Sequence, residues 1–324
     1  MTGASVGERS RVLPLVIDTI WAGIEDHGPE ALGDWFRSNV GEVETKLVEY
    51  GAILFRGFGI NTVRAFTEFV ASTGYSTAPY TDGNSPRTHL SRGVYTSTEF
   101  PAEFFISLHN ELSYSAIWPS KLIFACIRPA DCGGETPLVS SADLLRHLDP
   151  TIVEEFTRRR IKYIRNIHGG YGVGPSWQTT FGSTSKAEVE EFCRKTSTQF
   201  QWLADDQLRL TQVRPAVAVH PKTGEQVWFN QADQFHPFTN PPDVQEGLIE
   251  LYGSDPDNFP QNARFGDDGE IDVKMLQAIR DITAALMTRF PWQEGDALLI
   301  DNMLVAHGRM PFIGERKVIV SLFE

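Results

Sequence analysis

The chain has 324 residues, 41% of them hydrophobic and 22% charged, a composition that supports a large core and excludes disordered, collagen-like and coiled-coil proteins. Its formal net charge of -13 would repel phosphate backbones and anionic membrane surfaces, so we expect neither nucleic acid nor a membrane as a partner. Three widely spaced cysteines without a C-x-x-C pair argue against disulfides and structural zinc. The N-terminal apolar stretch 12–17 is too short for a signal peptide or a membrane span, and we therefore expect a cytoplasmic protein.

The predicted elements begin with a helix over residues 29–49, a strand over 51–58 and a short helix over 62–72. Residues 75–98 are rich in Ser, Thr, Gly, Pro and Asn and predict a long loop, which we expect to act as a lid at about 75–100. The remaining strands are predicted at 104–112, 121–128, 136–139, 161–167, 216–220, 226–230, 296–301 and 317–323. Further helices are predicted at 143–159, 186–196, 243–252 and 272–290, the last two within a helical insertion at about 240–290.

This order of elements predicts the fold class. Many short strands separated by turns, with helices at the start and late in the chain, favour an α+β fold with a sandwich or jelly-roll core flanked by helices. No repeat or linker divides the chain, so we expect a single domain over residues 1–324. A Rossmann fold is disfavoured because Pro175 or Trp177 stands where a G-x-G-x-x-G motif needs its third glycine.

Two histidines are followed two residues later by a carboxylate. His109 and Glu111 end a strand-like run, where residues two apart point to the same side. His147 and Asp149 lie in a helix-like segment just before Pro150, where their side chains diverge, and we expect them to cap helices at the surface. His109 and Glu111 alone are also compatible with a hydrogen-bonded pair that has only a structural role.

A third metal ligand is available near the C-terminus, where His307 follows the buried strand predicted at 296–301. Two histidines and one carboxylate leave adjacent positions open on a metal, which is how non-haem Fe(II) oxygenases hold a co-substrate and dioxygen. A jelly roll can bring such distant strands side by side. His168, His220 and His236 are more typical of structural histidines, and we leave them out of the metal set.

Five segments together resemble one enzyme family. They are His109-Asn-Glu-Leu-Ser-Tyr114, Trp118-Pro119, Gly133-Gly-Glu-Thr-Pro137, Trp228-Phe-Asn-Gln231 and Ala306-His-Gly-Arg-Met-Pro-Phe312. The pattern is similar to the Fe(II)/2-oxoglutarate-dependent dioxygenases of the taurine dioxygenase (TauD/TfdA) superfamily, and more narrowly to its SyrP-like branch. The resemblance implies a double-stranded β-helix (jelly-roll) core flanked by helices, with Fe(II), 2-oxoglutarate and O2 as cofactor and co-substrates. It implies that His109, Glu111 and His307 bind the iron.

The resemblance also implies a binding site for 2-oxoglutarate, formed by Thr136 and Arg316. A buried carboxylate is best bound by a guanidinium with a hydroxyl as additional donor. Lys317 is the competing cation, and because neighbouring strand residues face opposite ways only one of the two can point inward. Arg309 has two open interpretations, contact with the keto acid or the substrate, and bracing of the turn through an acid such as Asp301.

The implied reaction is hydroxylation of an unactivated carbon with release of succinate and CO2, because a carboxylate at Glu111 fills the position that iron halogenases leave for halide. Desaturation and epoxidation would use the same ligands. The branch implies an amino acid or amino-acid-derived substrate, free or bound to a carrier protein, in natural-product biosynthesis. For substrate contacts we consider Asn110, Arg87 and Arg309 first, and for carrier docking a local basic patch of Lys121, Arg128 and residues 158–162.

Two alternatives from other classes remain open. A zinc hydrolase could use two histidines and a carboxylate with a bound water. A non-catalytic β-barrel binding protein could retain the fold with an inactive site. Neither alternative accounts for Thr136 and Arg316 together with the three proposed ligands.

Overall fold

The structure is a computed structural model that describes residues 13–26 and 28–324. Val12 of the N-terminal apolar stretch and His27 lie outside the described residues. The strands are β1 (Leu15–Asp18), β2 (Ala52–Arg56), β3 (His89–Ser91), β4 (Val94–Thr96), β5 (Ile106–His109), β6 (Lys121–Arg128), β7 (Cys132–Gly133), β8 (Leu138–Ser140), β9 (Ile161–Ile167), β10 (Gln199–Trp202), β11 (Leu208–Arg214), β12 (Val217–Val219), β13 (Gln226–Trp228), β14 (Gln261–Phe265), β15 (Ala297–Asp301), β16 (Val305–Arg309), β17 (Phe312–Ile313) and β18 (Lys317–Phe323).

The helices are α1 (Thr19–Ala22), α2 (Pro29–Ser38), α3 (Val40–Tyr50), α4 (Val63–Ser72), α5 (Ser141–His147), α6 (Pro150–Arg159), α7 (Trp177–Phe181), α8 (Lys186–Lys195), α9 (Ala232–Phe235), α10 (Pro242–Tyr252) and α11 (Val273–Leu286). Helices and mainly antiparallel strands are both abundant, so the α+β composition follows the prediction. No helix among the described residues is long and apolar enough to cross a membrane.

The largest sheet has seven strands in the order β1-β2-β15-β6-β18-β4-β3. A three-stranded sheet, β5-β16-β8, carries both histidines of the predicted metal site, and a four-stranded sheet has the order β10-β11-β9-β14. Two smaller pairs, β12-β13 and β17-β7, complete the described sheets. Strands that are distant in the chain are therefore direct neighbours, as the site prediction requires.

The seven-stranded sheet is buried on both faces because apolar side chains occupy both sets of alternating positions in its central strands. Phe55, Ile123 and Leu299 point to one face and pack with Phe36 and Phe69 from helices α2 and α4. On the opposite face, apolar side chains form a second core that reaches the metal-site strands, among them Leu54, Leu122, Phe124, Leu298, Ile300, Val305 and Val320. The inner face of the sheet thus provides an apolar surface beside the site.

Two predicted helices are each broken into two. The helix predicted over 29–49 is interrupted at Asn39, whose φ of -121° leaves the helical region between α2 and α3. The helix predicted over 143–159 ends at His147, because Pro150 cannot continue it and instead begins α6. Asp149 accepts a hydrogen bond from the Thr151 backbone N–H, so its predicted role in helix capping is confirmed.

The predicted lid loop contains more regular structure than its composition indicated. Strands β3 and β4 lie within residues 75–98 and extend the seven-stranded sheet by pairing β4 with β18. The predicted helical insertion at about 240–290 also contains a strand, β14, which pairs with β9. Strands β1, β10 and β11 were missed as well, and β11 follows a period-two pattern with Leu208, Leu210 and Gln212 buried.

Candidate metal centre

The two predicted histidine ligands face each other on neighbouring antiparallel strands. His109 on β5 and His307 on β16 are direct register partners, and their ring centroids lie 4.7 Å apart. Phe124 from the inner face of the large sheet packs against the His307 ring, with 5.1 Å between the ring centroids. The hydrogen-bond ladder of a single sheet thereby fixes the relative position of both imidazoles.

Glu111 joins them from the turn that follows β5. The expectation that Glu111 lies on the strand is wrong, because β5 ends at His109 and Leu112 adopts a left-handed conformation with φ of 56°. The turn still directs the carboxylate toward the histidines, with Glu111 Oε2 3.8 Å from His307 Nε2. The candidate ligand atoms of His109, Glu111 and His307 all lie within 4.8 Å of one another.

Asn302, the first residue of the β15–β16 connection, holds this turn in place. Its Oδ1 accepts from the Glu111 backbone N–H at 2.7 Å, while its Nδ2 donates to the carbonyl oxygens of Glu111 at 2.9 Å and Pro119 at 2.8 Å. The side chain is fully buried. Asn302 therefore links the backbone around one ligand to the segment that leads to His307.

Both imidazoles are held in the neutral form that binds metals. Burial lowers the pKa of His109 and lowers that of His307 further, and the neighbouring His109 and Arg87 act on His307 in the same direction. His109 Nδ1 lies 2.9 Å from the Ser107 carbonyl oxygen, so a proton on Nδ1 leaves Nε2 free as a ligand. Two neutral imidazoles and one carboxylate fit a divalent metal such as Fe(II).

Gln234 on α9 lies beside His109, with its Nε2 3.0 Å from His109 Nδ1. Its Nε2 donates to the same Ser107 carbonyl at 2.9 Å, and its Oε1 accepts from Gln231 Nε2 at 2.6 Å. The Ser113 hydroxyl in turn lies 3.3 Å from Gln231 Oε1. This chain of amides joins helix α9 to the turn that contains Glu111.

A small pocket of about 30 Å³ opens between the histidines and is also lined by Thr136 and Arg316. Thr136 is buried, and its hydroxyl accepts from Trp292 Nε1 at 3.1 Å. Arg316 donates to the Gly134 carbonyl through Nε at 2.8 Å and makes no ion pair among the described residues, while burial lowers its pKa to about 10. Lys317 is exposed, so of the two candidate cations Arg316 is the one that points inward.

Arg87 also lines this pocket, although it comes from the predicted lid. Its Nη2 donates to Glu111 Oε2 at 2.6 Å, and its side chain is only 3% exposed. Its guanidinium carbon lies 4.5 Å from the centre of the Tyr80 ring. The residue considered for substrate contact therefore touches the candidate metal carboxylate directly.

The other two substrate candidates are occupied by structural contacts. Asn110 Nδ2 donates to the Ser141 hydroxyl and to the Asn302 carbonyl, and Asn110 lies at the wall of a neighbouring cavity. Arg309 donates to the backbone carbonyls of residues 100, 101 and 104, at distances of 2.6–3.0 Å. The proposed brace between Arg309 and Asp301 does not form, because Asp301 instead faces His220.

A second, larger cavity of about 1160 Å³ adjoins the small pocket. Thr98 and Ile106 line both spaces, so they form the boundary between them. Apolar side chains such as Phe104 and Leu108 share its wall with amide side chains such as Gln261. A molecule much larger than a free amino acid fits beside the candidate metal site.

The basic residues considered for carrier docking are largely neutralised. Arg158 pairs with Glu155, Arg159 with Asp267 and Lys162 with Asp268. Lys121 lies 3.5 Å from Glu44, and Arg128 pairs with Glu315. These contacts remove the local excess of positive charge on which that prediction depended.

The chain is similar to known proteins over most of its length. The model of the family described as taurine catabolism dioxygenase TauD, TfdA matches residues 22–322. The chain is 38% identical over 282 residues to the dapdiamide synthesis protein DdaC of Enterobacter agglomerans, covering 87% of this chain and 84% of that protein. It is 30% identical over 291 residues to a clavaminate synthase-like protein of Arabidopsis thaliana, covering 86% and 83%. Among solved structures, PvcB of Pseudomonas aeruginosa aligns with a TM-score of 0.50 and 15% identity, over 88% of this chain and 79% of PvcB, a likeness of fold.

Proposed function

Because the chain belongs to the TauD, TfdA dioxygenase family, and is therefore an Fe(II)/2-oxoglutarate-dependent oxygenase, we propose that it hydroxylates an unactivated carbon of an amino-acid-derived substrate. The observation that carries the proposal is the convergence of His109, Glu111 and His307 beside a pocket lined by Thr136 and Arg316. We further propose a single domain over residues 1–324 with a double-stranded β-helix core, which is supported by the apolar core that the three- and seven-stranded sheets share.

In this proposal, His109 Nε2, a carboxylate oxygen of Glu111 and an imidazole nitrogen of His307 hold the iron. The buried Nδ1 of His307 has no hydrogen-bond partner among the residues that the structure describes. This nitrogen and the lowered pKa values of both histidines fit a metal-binding role, since neutral imidazole is the ligand form. When bound, the iron supplies the oxidising chemistry, in which one oxygen atom of O2 enters the substrate and the other enters succinate as 2-oxoglutarate loses CO2.

Arg316 and Thr136 bind the carboxylate of 2-oxoglutarate that is remote from the metal. The buried Arg316 guanidinium has no ion-pair partner within the described ranges, so it has a strong preference for an anion. Its charge-assisted hydrogen bonds are stronger than those of neutral donors. Trp292 orients the Thr136 hydroxyl, leaving its proton free to donate to a ligand. Phe124 and the other apolar side chains on the inner face of the seven-stranded sheet keep water away from the reacting carbon.

Two features of the site argue against a zinc hydrolase and against a non-catalytic binding protein. A zinc hydrolase needs no keto-acid site, so it would leave the buried charge of Arg316 without a function. A binding protein would have no need for neutral histidines converging on a carboxylate. Desaturation and epoxidation use the same cofactors, and they differ from hydroxylation only in where the substrate lies and whether it contains an alkene.

The substrate we propose is an amino acid derivative from natural-product biosynthesis, either free or attached to a carrier. The similarity to a protein named for dapdiamide synthesis supports a role in natural-product biosynthesis, and the cavity of about 1160 Å³ supports a derivative over a free amino acid. The paired basic residues at 158–162 give less support to docking of an acidic carrier protein.

The test is to incubate the iron-loaded enzyme with 2-oxoglutarate, O2 and a panel of free and acylated amino acids, and to measure succinate and product mass. Hydroxylation is expected to add one oxygen atom to a saturated substrate, with one succinate formed per product. A product that has lost two hydrogen atoms would identify desaturation. Product formation without 2-oxoglutarate would contradict the proposed function.

A further inference from the structure

Arg87 reaches the metal site from a segment that is held in place by the contacts of Asp82. Asp82 is 2% exposed and accepts a hydrogen bond from Ser115 at 2.8 Å, and it forms an ion pair with the buried Arg165. The Asp82 carbonyl accepts from the Tyr114 hydroxyl at 2.7 Å and from Arg165 Nη1 at 3.0 Å. These contacts fix the backbone five residues before Arg87, so the guanidinium has a defined position in the site.

The guanidinium of Arg87 has N–H donors that no described residue uses. Its Nη2 is used by Glu111, but Nε and Nη1 are buried and have no hydrogen-bond partner in the part of the chain that the structure describes. A buried donor without an acceptor costs free energy, and a charged one costs more than a neutral one. The unused donors therefore indicate a ligand with acceptor atoms.

The charges around the small pocket indicate the chemistry of that ligand. Arg87, Arg309 and Arg316 line the pocket, no acidic residue is among the described residues that line it, and the carboxylate of Glu111 contacts Arg87. Glu103 and Glu135 act on Arg309 and Arg316 from outside this lining, so the pocket itself has an excess of positive charge. Fe(II) and dianionic 2-oxoglutarate cancel each other, so the loaded site still favours one more anion.

We propose that Arg87 binds a carboxylate of the substrate, which makes the substrate an elongated organic acid whose remaining atoms extend past Thr98 and Ile106 into the large cavity. The inference rests on the proposed function and adds the chemical class of the substrate. Arg87 bridges the substrate and the metal carboxylate, which positions the reacting carbon relative to the iron. A carboxylate of 2-oxoglutarate offers the same acceptor atoms as a carboxylate of the substrate. The experiment below distinguishes these two ligands of Arg87.

The test compares an acid with its amide. N-hexanoyl-L-alanine has an acyl chain suited to the apolar cavity wall, and N-hexanoyl-L-alaninamide differs only in lacking the charge. Binding of both probes is measured by anaerobic calorimetry on the Fe(II) and 2-oxoglutarate-loaded protein. The proteins are wild type, Arg87→Gln, Arg87→Lys and the control Arg64→Gln, which removes a guanidinium that is 88% exposed on α4.

The wild type and Arg64→Gln are expected to bind the acid at least about tenfold more tightly than the amide, as one charge-assisted ion pair requires. Arg87→Gln is expected to bind both probes equally, and Arg87→Lys to retain part of the preference because it keeps the charge. The affinity for 2-oxoglutarate is expected to stay within about threefold of wild type in both Arg87 variants.

Several results would overturn the proposal. They are equal affinity of the wild type for acid and amide, no binding of either at roughly 10 mM, and a preference that persists in Arg87→Gln. Weakened 2-oxoglutarate binding in Arg87→Gln would assign the carboxylate to the co-substrate. Loss of iron binding in both Arg87 variants would assign Arg87 only to positioning Glu111. Failure of the wild type to bind 2-oxoglutarate with iron would instead contradict the proposed function. The acid and amide comparison, repeated on the protein loaded with Fe(II) alone, would then still decide the role of Arg87.

Discussion

Replacing Asn302 with alanine tests whether the turn that carries Glu111 is positioned by this one side chain. The substitution removes the acceptor of the Glu111 N–H and the donor to the carbonyls of Glu111 and Pro119. All three backbone groups lie in a region where Asn302 is fully buried, so water cannot easily replace the lost partners. The turn is therefore expected to relax and to move the Glu111 carboxylate.

The magnitude follows from the number of groups left without a partner. Each buried polar group that loses its partner costs about 1–3 kcal/mol, so the three groups together cost at least about 3 kcal/mol. Because single substitutions rarely cost more than about 5 kcal/mol, the free energy of unfolding is expected to fall by about 3–5 kcal/mol. Residues that orient metal ligands typically contribute about 10–100-fold to metal affinity, and we expect a loss of iron affinity in that range.

Chemical denaturation and anaerobic iron titration measure the two effects separately. The matched control is Asn262→Ala, which removes another buried asparagine whose side chain donates to Asp257 on the four-stranded sheet side of the molecule. The control is expected to lose about 1–2 kcal/mol of stability and to bind iron like the wild type. Wild-type iron affinity in a folded Asn302→Ala protein would show that the position of Glu111 does not depend on Asn302.

Three further predictions concern the ligands, the co-substrate and pH. Glu111→Ala and His307→Ala are each expected to lower turnover at least about 1000-fold, measured as succinate release, because the metal loses a ligand. Arg316→Gln is expected to weaken 2-oxoglutarate binding about 100-fold in an anaerobic titration, whereas Lys317→Gln leaves it unchanged. Burial, with two nearby arginines, lowers the pKa of His236 to about 4 from 6.5, so the unfolded chain binds the proton first as pH falls. His236 is thus expected to lower stability by about 2 kcal/mol between pH 8 and pH 5, and His236→Gln removes this part of the pH dependence in denaturation curves.

Strands with long apolar runs could be predicted from the sequence almost to the residue. The bounds of β6 and β18 agree with their predictions because apolar residues fill both faces of each strand. The bounds of β9 also agree, although Lys162, Arg165 and Asn166 interrupt its apolar residues. Strands β10 and β14 were missed, since their short, mixed patterns become strands only by pairing with β11 and β9. Tertiary pairing, which local sequence does not encode, decides such segments.

The same distinction applies to the site. His109, Glu111 and His307 could be proposed from residue type and local pattern, and the structure brings them together. Asn302 and Gln234 were missed, because their partners lie far away in the chain and nothing local separates them from other amides. The position of Asn302 just after a buried strand, beside the predicted third ligand, was the one available signal.

The central claim is that one site holds Fe(II) and 2-oxoglutarate together, and its most direct test is anaerobic. The protein is titrated with Fe(II) and then with 2-oxoglutarate while the visible iron-to-keto-acid charge-transfer absorption is recorded. The absorption is expected to develop in the wild type and to be absent in His307→Ala. Iron binding without this absorption would contradict the assignment of Thr136 and Arg316, and failure to bind iron would contradict the assignment of the metal ligands.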